Sequence, residues 1–125
     1  MKDFAIELTH RPGELARVAE ALSRYGVNIK AVAGVAIGQH VVVRIIGDEP
    51  ESARTALERA NIRFEEEEVV KVVLENHAGE LATISAKLSE AGVNLRAIYL
   101  TGIVDDLVEL AIVADNPKKA KRALE

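Results

Sequence analysis

The sequence predicts an α+β chain with antiparallel sheets, built from two copies of one strand–helix–strand–strand–helix–strand plan. Three observations lead there. Gly13-Glu14-Leu15-Ala16 recurs as Gly79-Glu80-Leu81-Ala82, and Gly26-Val27-Asn28-Ile29 recurs at the same offset as Gly92-Val93-Asn94-Leu95. Within each copy, apolar residues repeat with the period of a strand, then of a helix, then of a strand again. The composition, 49% hydrophobic and 29% charged over 125 residues, is that of a globular chain with a core. Further on, Asp48, Pro50, Ala53 and Leu57 match Asp115, Pro117, Ala120 and Leu124 at an offset one residue longer. A single inserted residue between matching blocks is a loop-length difference. The copies are expected to span 1–67 and 68–125. A unit of roughly 60 residues is marginal alone. Each copy should therefore bury surface against the other or against a second chain, and the junction would be a natural ligand pocket.

Phe4, Ile6 and Leu8 alternate with Ala5 and Glu7, which predicts a half-buried first strand. Val70, Val72 and Leu74 repeat it. The turns His10-Arg11-Pro12-Gly13 and Asn76-His77-Ala78-Gly79 follow. Leu15, Val18, Ala19 and Leu22 then fall on one helical face, as do Leu81, Ile84, Ser85 and Leu88. Gly26 and Gly92 stand where those helices should stop, in a left-handed conformation. A second strand is expected from Val27-Asn28-Ile29 to about Val35. Gly38-Gln39 and Asp105-Asp106 are the expected hairpin turns. Val41 to Ile46 is apolar at nearly every position, which predicts a central strand covered on both faces. Asp48-Glu49-Pro50 opens a second helix whose buried stripe is Ala53, Ala56, Leu57 and Ala60. Ile62 and Phe64 suggest a short fourth strand. The order is the ferredoxin-like one. Glu125 is the counterpart of Glu58, so nothing in the second copy matches Ile62–Phe64, and its last strand is expected to be missing.

The same composition excludes several functions. With no cysteine there is no disulfide, thiolate zinc site or cysteine nucleophile. A net charge of −4 and 3% aromatic residues argue against nucleic-acid binding, which needs clustered positive charge and stacking platforms. The longest apolar runs, such as Val41-Val42-Val43, are far short of the ~20 residues of a membrane span. No apolar signal block follows Met1, so a cytoplasmic protein is expected.

Thr9-His10-Arg11-Pro12-Gly13-Glu14-Leu15, followed by Gly26-Val27-Asn28-Ile29, resembles the ACT domain. The second copy has Asn76-His77-Ala78-Gly79-Glu80-Leu81 and Gly92-Val93-Asn94-Leu95 at the same spacing. The resemblance covers nearly the whole chain, as two ACT-like repeats with no catalytic domain. It implies a non-catalytic regulatory protein that binds an amino acid where two ACT units meet. In serine-responsive members, a polar residue three before the turn glycine and an asparagine after the helix hold the ligand. Carried over, these are His10 and Asn28, and Asn76 and Asn94. The ligand-binding set implied is His10, Arg11, Pro12, Gly13, Glu14, Leu15 and Asn28, with Asn76, His77, Ala78, Gly79, Glu80, Leu81 and Asn94. His10 replaces the family's asparagine, Leu8 and Leu74 replace a histidine of the serine-responsive members, and Ala78 replaces the usual turn proline. Val32, Ala33, Ile98 and Tyr99, just past the asparagines, would meet the ligand's side chain and suit a compact or apolar one.

Elementary chemistry is compatible with that reading. Free N–H groups and the positive dipole end at a helix N-terminus favour a carboxylate. An asparagine amide both donates and accepts, which suits a zwitterion. Other roles exist for the same residues. Asn28 and Asn94 could only fix a bend. His10, His40 and His77 lie on separate segments without paired metal-ligand spacing, so turn or surface roles are expected and no metal is assigned. Glu65 to Glu68 reads as a solvated strand end or linker. Lys118, Lys119, Lys121 and Arg122 read as the wet face of the last helix. No nucleophile–base pair is evident, and no cofactor is expected. Acylphosphatase-like and RNA-recognition chemistries on this fold lack their residues. The expected partners are an amino acid, a second copy in a homodimer, and a metabolic enzyme. The alternative function is a regulatory or interaction subunit of a metabolic enzyme that senses no ligand.

Overall fold

Alternation carries Phe4, Ile6 and Leu8 inward, and the computed structural model, which describes residues 1–125, has them on strand β1 (Lys2–Thr9). Helix α1 (Glu14–Arg24), strands β2 (Ile29–Ile37) and β3 (His40–Gly47), helix α2 (Pro50–Arg59) and strand β4 (Glu65–Glu68) follow. The plan then begins again with β5 (Val70–Glu75), α3 (Glu80–Glu90), β6 (Leu95–Val104), β7 (Leu107–Ala114) and α4 (Pro117–Ala123). The fold class is the expected one, α+β with antiparallel sheets. The chain forms two compact units, Met1–Glu67 and Glu68–Glu125.

The first unit holds a four-stranded sheet of order β2-β3-β1-β4. Its register sets Ile6 opposite Val43 and Val43 opposite Gly34. Phe4, Ile6, Val43 and Ile45 bury against Val18 and Leu22 of α1 and Ala53, Ala56 and Leu57 of α2. The second unit has a three-stranded sheet, β5-β7-β6, so a fourth strand is indeed lacking. Its core is smaller: Val70, Ile84, Leu88, Val93, Ile112 and Ala120 are its main members. No helix is long and apolar enough to cross a membrane.

Three helices stop by the same device. Gly26 N–H donates to Ser23 O and Val27 N–H to Leu22 O, closing α1 as a Schellman motif with Gly26 at φ 66°. Gly92 closes α3 in the same way. At α2 the left-handed residue is Asn61, with φ 56°, a conformation that asparagine tolerates. The expected hairpin turns are present, and Gly38 and Asp105 take positive φ there.

Four expectations need correction. Strand β2 continues past Val35 to Ile37, because β3 offers partners as far as His40. Leu15, Ala19, Leu81 and Ser85 are exposed, and the buried stripes are Val18, Ala21 and Leu22 on α1 and Ile84 and Leu88 on α3. Leu15 and Leu81 sit in the first turn of their helices, where they stay more than half exposed. Strand β3 is central, yet Val42 and Arg44 on its second face stay only half-buried. The fourth strand is Glu65–Glu68, not Ile62–Phe64. Ile62 is buried in the preceding connection, and Phe64 packs edge-on against Phe4 with centroids 5.4 Å apart.

The acidic run is thus neither a linker nor simply solvated. Alternation in β4 sends Glu66 and Glu67 to opposite faces. Arg54 Nε and Nη2 of α2 donate to the two carboxylate oxygens of Glu66, at 2.7 and 2.8 Å. Arg44 of β3 donates to Glu67 and to the buried Asp3, both at 2.9 Å. Two arginines hold a strand of four glutamates in the sheet.

Candidate functional site

The two turn glycines are required by geometry. Gly13 and Gly79 both have φ 91°, and each is the N-cap of its helix. Neither helix has a side-chain cap at that end, whereas Asn116 Oδ1 caps α4 by accepting from Lys119 N–H. The Glu80 N–H donates to His77 O at 3.3 Å, and the N–H groups that follow it in α3, like those opening α1, meet no side-chain cap and are open to an anion. Each turn also leans on the hairpin tip of its own unit. His10 Nδ1 lies 3.3 Å from Gly38 O, and the Asn76 N–H donates to Asp106 O at 2.6 Å.

The asparagines are held in matching ways. Asn28 N–H donates to Asp48 Oδ1 at 3.1 Å, while Asp48 N–H donates back to Asn28 O at 3.0 Å. Asn94 and Asp115 repeat this pair with the same distances. The pair uses only the asparagine backbone. Both Asn28 and Asn94 are exposed, and their amides have no partner in the chain. The bend is thus fixed by backbone and aspartate, and the asparagine side chain is not needed for it.

Within one unit the turn and the asparagine do not meet. They lie at opposite ends of an 11-residue helix, a separation on the order of 16 Å. What the second unit does bring together is its turn and its sheet. Asn76, His77, Glu80 and Leu81 border a cavity of about 320 Å³ whose other walls include Ile98 and Tyr99 of β6. Asn94 does not line it. In the first unit the matching residues of β2, Val32 and Ala33, are exposed and half-buried respectively. A larger cavity of about 780 Å³ lies beside Val69–Lys71 and the start of α4 and contains none of the expected site residues.

The charges around the two turns differ. Glu14 is paired with Arg11 at 3.3 Å and with Arg17 at 3.8 Å. Its counterpart Glu80 has no arginine beside it. Instead the donor atoms of Glu75, His77 and Glu80 gather within 4.8 Å of one another. Looking for paired histidines along the sequence misses this group. The signal was a histidine flanked by glutamates at i−2 and i+3, across the junction of strand, turn and helix.

Neither a family model nor the sequence of a characterised protein matches the chain. Solved structures do resemble it. A protein of Bacteroides thetaiotaomicron is similar with a TM-score of 0.86 at 25% identity, over 98% of this chain and 85% of that one. The ligand-free regulatory subunit of aspartate kinase from Thermus thermophilus gives 0.68 at 20% identity, over 98% and 86%. The corresponding subunit from Thermus flavus gives 0.61 at 20% identity, over 98% and 88%. These likenesses place nearly the whole chain in an ACT-like fold.

Proposed function

We propose that the chain is a non-catalytic regulatory protein, two ACT-like repeats that bind an amino acid where two units meet. The observation that carries this reading is the duplicated pair of half-sites. Each unit offers an uncapped helix N-terminus for a carboxylate and, about 16 Å away, an exposed amide with no other bond to make. A ligand only a few ångströms long reaches both kinds of group only when the turn of one unit lies near the asparagine of another. His10 to Leu15 with Asn28, and Asn76 to Leu81 with Asn94, are the residues proposed to hold it. The fold shared with aspartate kinase regulatory subunits is a second support, and a metabolic enzyme is the proposed partner.

A calorimetric panel of the common amino acids tests the reading. At least one compact or apolar amino acid should bind. No heat and no thermal shift with any of them at millimolar concentration would reject it. The second reading, a subunit that associates with an enzyme and senses no ligand, is favoured by the exposed apolar side chains of β2 and β6. In that case Asn28→Ala with Asn94→Ala leaves the partner's regulation unchanged.

A further inference from the structure

We infer that the turn of the second unit is a binding site for a divalent transition metal of the zinc type, held by Glu75, His77 and Glu80. This goes beyond the amino-acid reading and does not depend on it. The argument comes from comparing the two turns position by position. In the first unit Thr9, Arg11 and Glu14 stand at the corresponding places. There the guanidinium of Arg11 lies 3.3 Å from Glu14, with Arg17 at 3.8 Å on its other oxygen, so the chain supplies its own cations. In the second unit both arginines are gone. His77 replaces Arg11, and Thr83 replaces Arg17 and turns its hydroxyl back to Gly79 O at 3.1 Å. A second carboxylate, Glu75, is added where the first unit has Thr9.

The result is two carboxylates converging on one imidazole, with no lysine or arginine to balance them. His77 Nδ1 is 3.2 Å from Glu75 Oε2, and all three donors fit within 4.8 Å. Oxygen and nitrogen donors about 2.1 Å from a zinc ion in a tetrahedral site lie about 3.4 Å apart. One pair already has that spacing. Glu75 and His77 are well exposed, so closing the third side takes only rotation of free side chains. One imidazole and two carboxylates form a donor set suited to zinc, iron, cobalt or nickel, and their summed charge of −2 matches a divalent ion. The first unit already carries a cation at this place beside a helix N-terminus, so the dipole does not forbid one. Three protein donors leave a position open, and the adjoining cavity of about 320 Å³ gives it room for water or a small ligand.

Equilibrium dialysis of the full chain against zinc, and cobalt spectra of the same protein, test this site. Wild type should bind one zinc per chain. Glu80→Gln and His77→Arg should each weaken binding by at least about tenfold, because even groups behind the ligands are worth that much. His77→Arg copies the first unit's residue, and unchanged circular dichroism and melting would show that it folds. His10→Ala with His40→Ala should bind zinc as wild type does. The site is rejected if wild type binds no zinc, if His77→Arg and Glu80→Gln bind it equally well, or if binding is lost with His10 and His40 instead. Calorimetry of amino acids on metal-free protein is independent of these results, so either reading can fail alone.

Discussion

Asp3 is fully buried, and a lone carboxylate in that position would be costly. Arg44 answers it, bridging Asp3 and Glu67 at 2.9 Å each. Burial alone would push the Arg44 guanidinium down, but the hydrogen bond it donates to Glu67 and the charge of Asp3 outweigh that and hold the group above its ordinary value. Removing the arginine from such a group leaves buried negative charge without its main counter-charge. Arg44→Ala should cost about 3–5 kcal/mol, read as a lower urea midpoint. Asp3→Asn in an Arg44→Met background should recover part of that loss, because the fully buried charge is then gone and only the partly buried Glu67 has lost its arginine. Asn28 and Asn94 predict the opposite behaviour. Their amides are exposed and unbonded, so alanine at both should change stability by no more than about 0.5 kcal/mol. If each amide makes one hydrogen bond to the ligand, worth about 1 kcal/mol, affinity should fall about fivefold per site. A loss of stability without a loss of affinity would return the asparagines to a purely local role.

Strand β4 is where sequence and structure part most clearly. Four consecutive glutamates have no intrinsic preference for a strand, and they repel one another. What makes the strand is Arg54 on a helix and Arg44 on β3, both distant along the chain, and no local pattern reveals such partners. The apolar Ile62 and Phe64 suggest the strand, but they belong to the connection before it. By contrast β1, β3, the four helices and both helix-ending glycines were legible, because each is encoded by short-range periodicity or by one φ requirement. The repeat made the fold readable twice. The Glu75–His77–Glu80 group stayed hidden because its spacing belongs to neither period. The ion pair in β4 has a pH signature. The hydrogen bond from Arg54 holds the Glu66 carboxyl below its usual 4.5. A depressed carboxyl stabilises the fold above the unfolded value and loses that effect as pH falls through the folded one. Glu66→Gln should therefore melt below wild type at pH 7, and the gap should shrink as pH drops below about 4.5. Equal gaps at neutral and acidic pH would show that the pair contributes nothing through charge.

Taken as a whole, the molecule leaves two long strands at sheet edges, β2 and β6, and past their first two residues both expose apolar side chains. Val32, Val35 and Ile37 stand out on β2, and Leu100, Ile103 and Val104 on β6. Soluble proteins usually guard an edge strand with charge, proline or a bulge. Each of these strands has register irregularities, but neither carries a proline, and Lys30 and Arg96 lie only at their beginnings. An edge of this kind is suited to pairing with a second copy, where its unused N–H and C=O groups and its apolar side chains are covered together. We therefore expect a homodimer or a larger even assembly at micromolar concentration, measured by light scattering. Val35→Lys with Ile37→Lys adds like charges on β2, where wild-type side chains are exposed, so the fold should survive while the assembly weakens. If amino-acid binding weakens in parallel, the ligand sites are built by association. If the variant is monomeric and still binds with full affinity, each chain completes its own site and association serves another purpose.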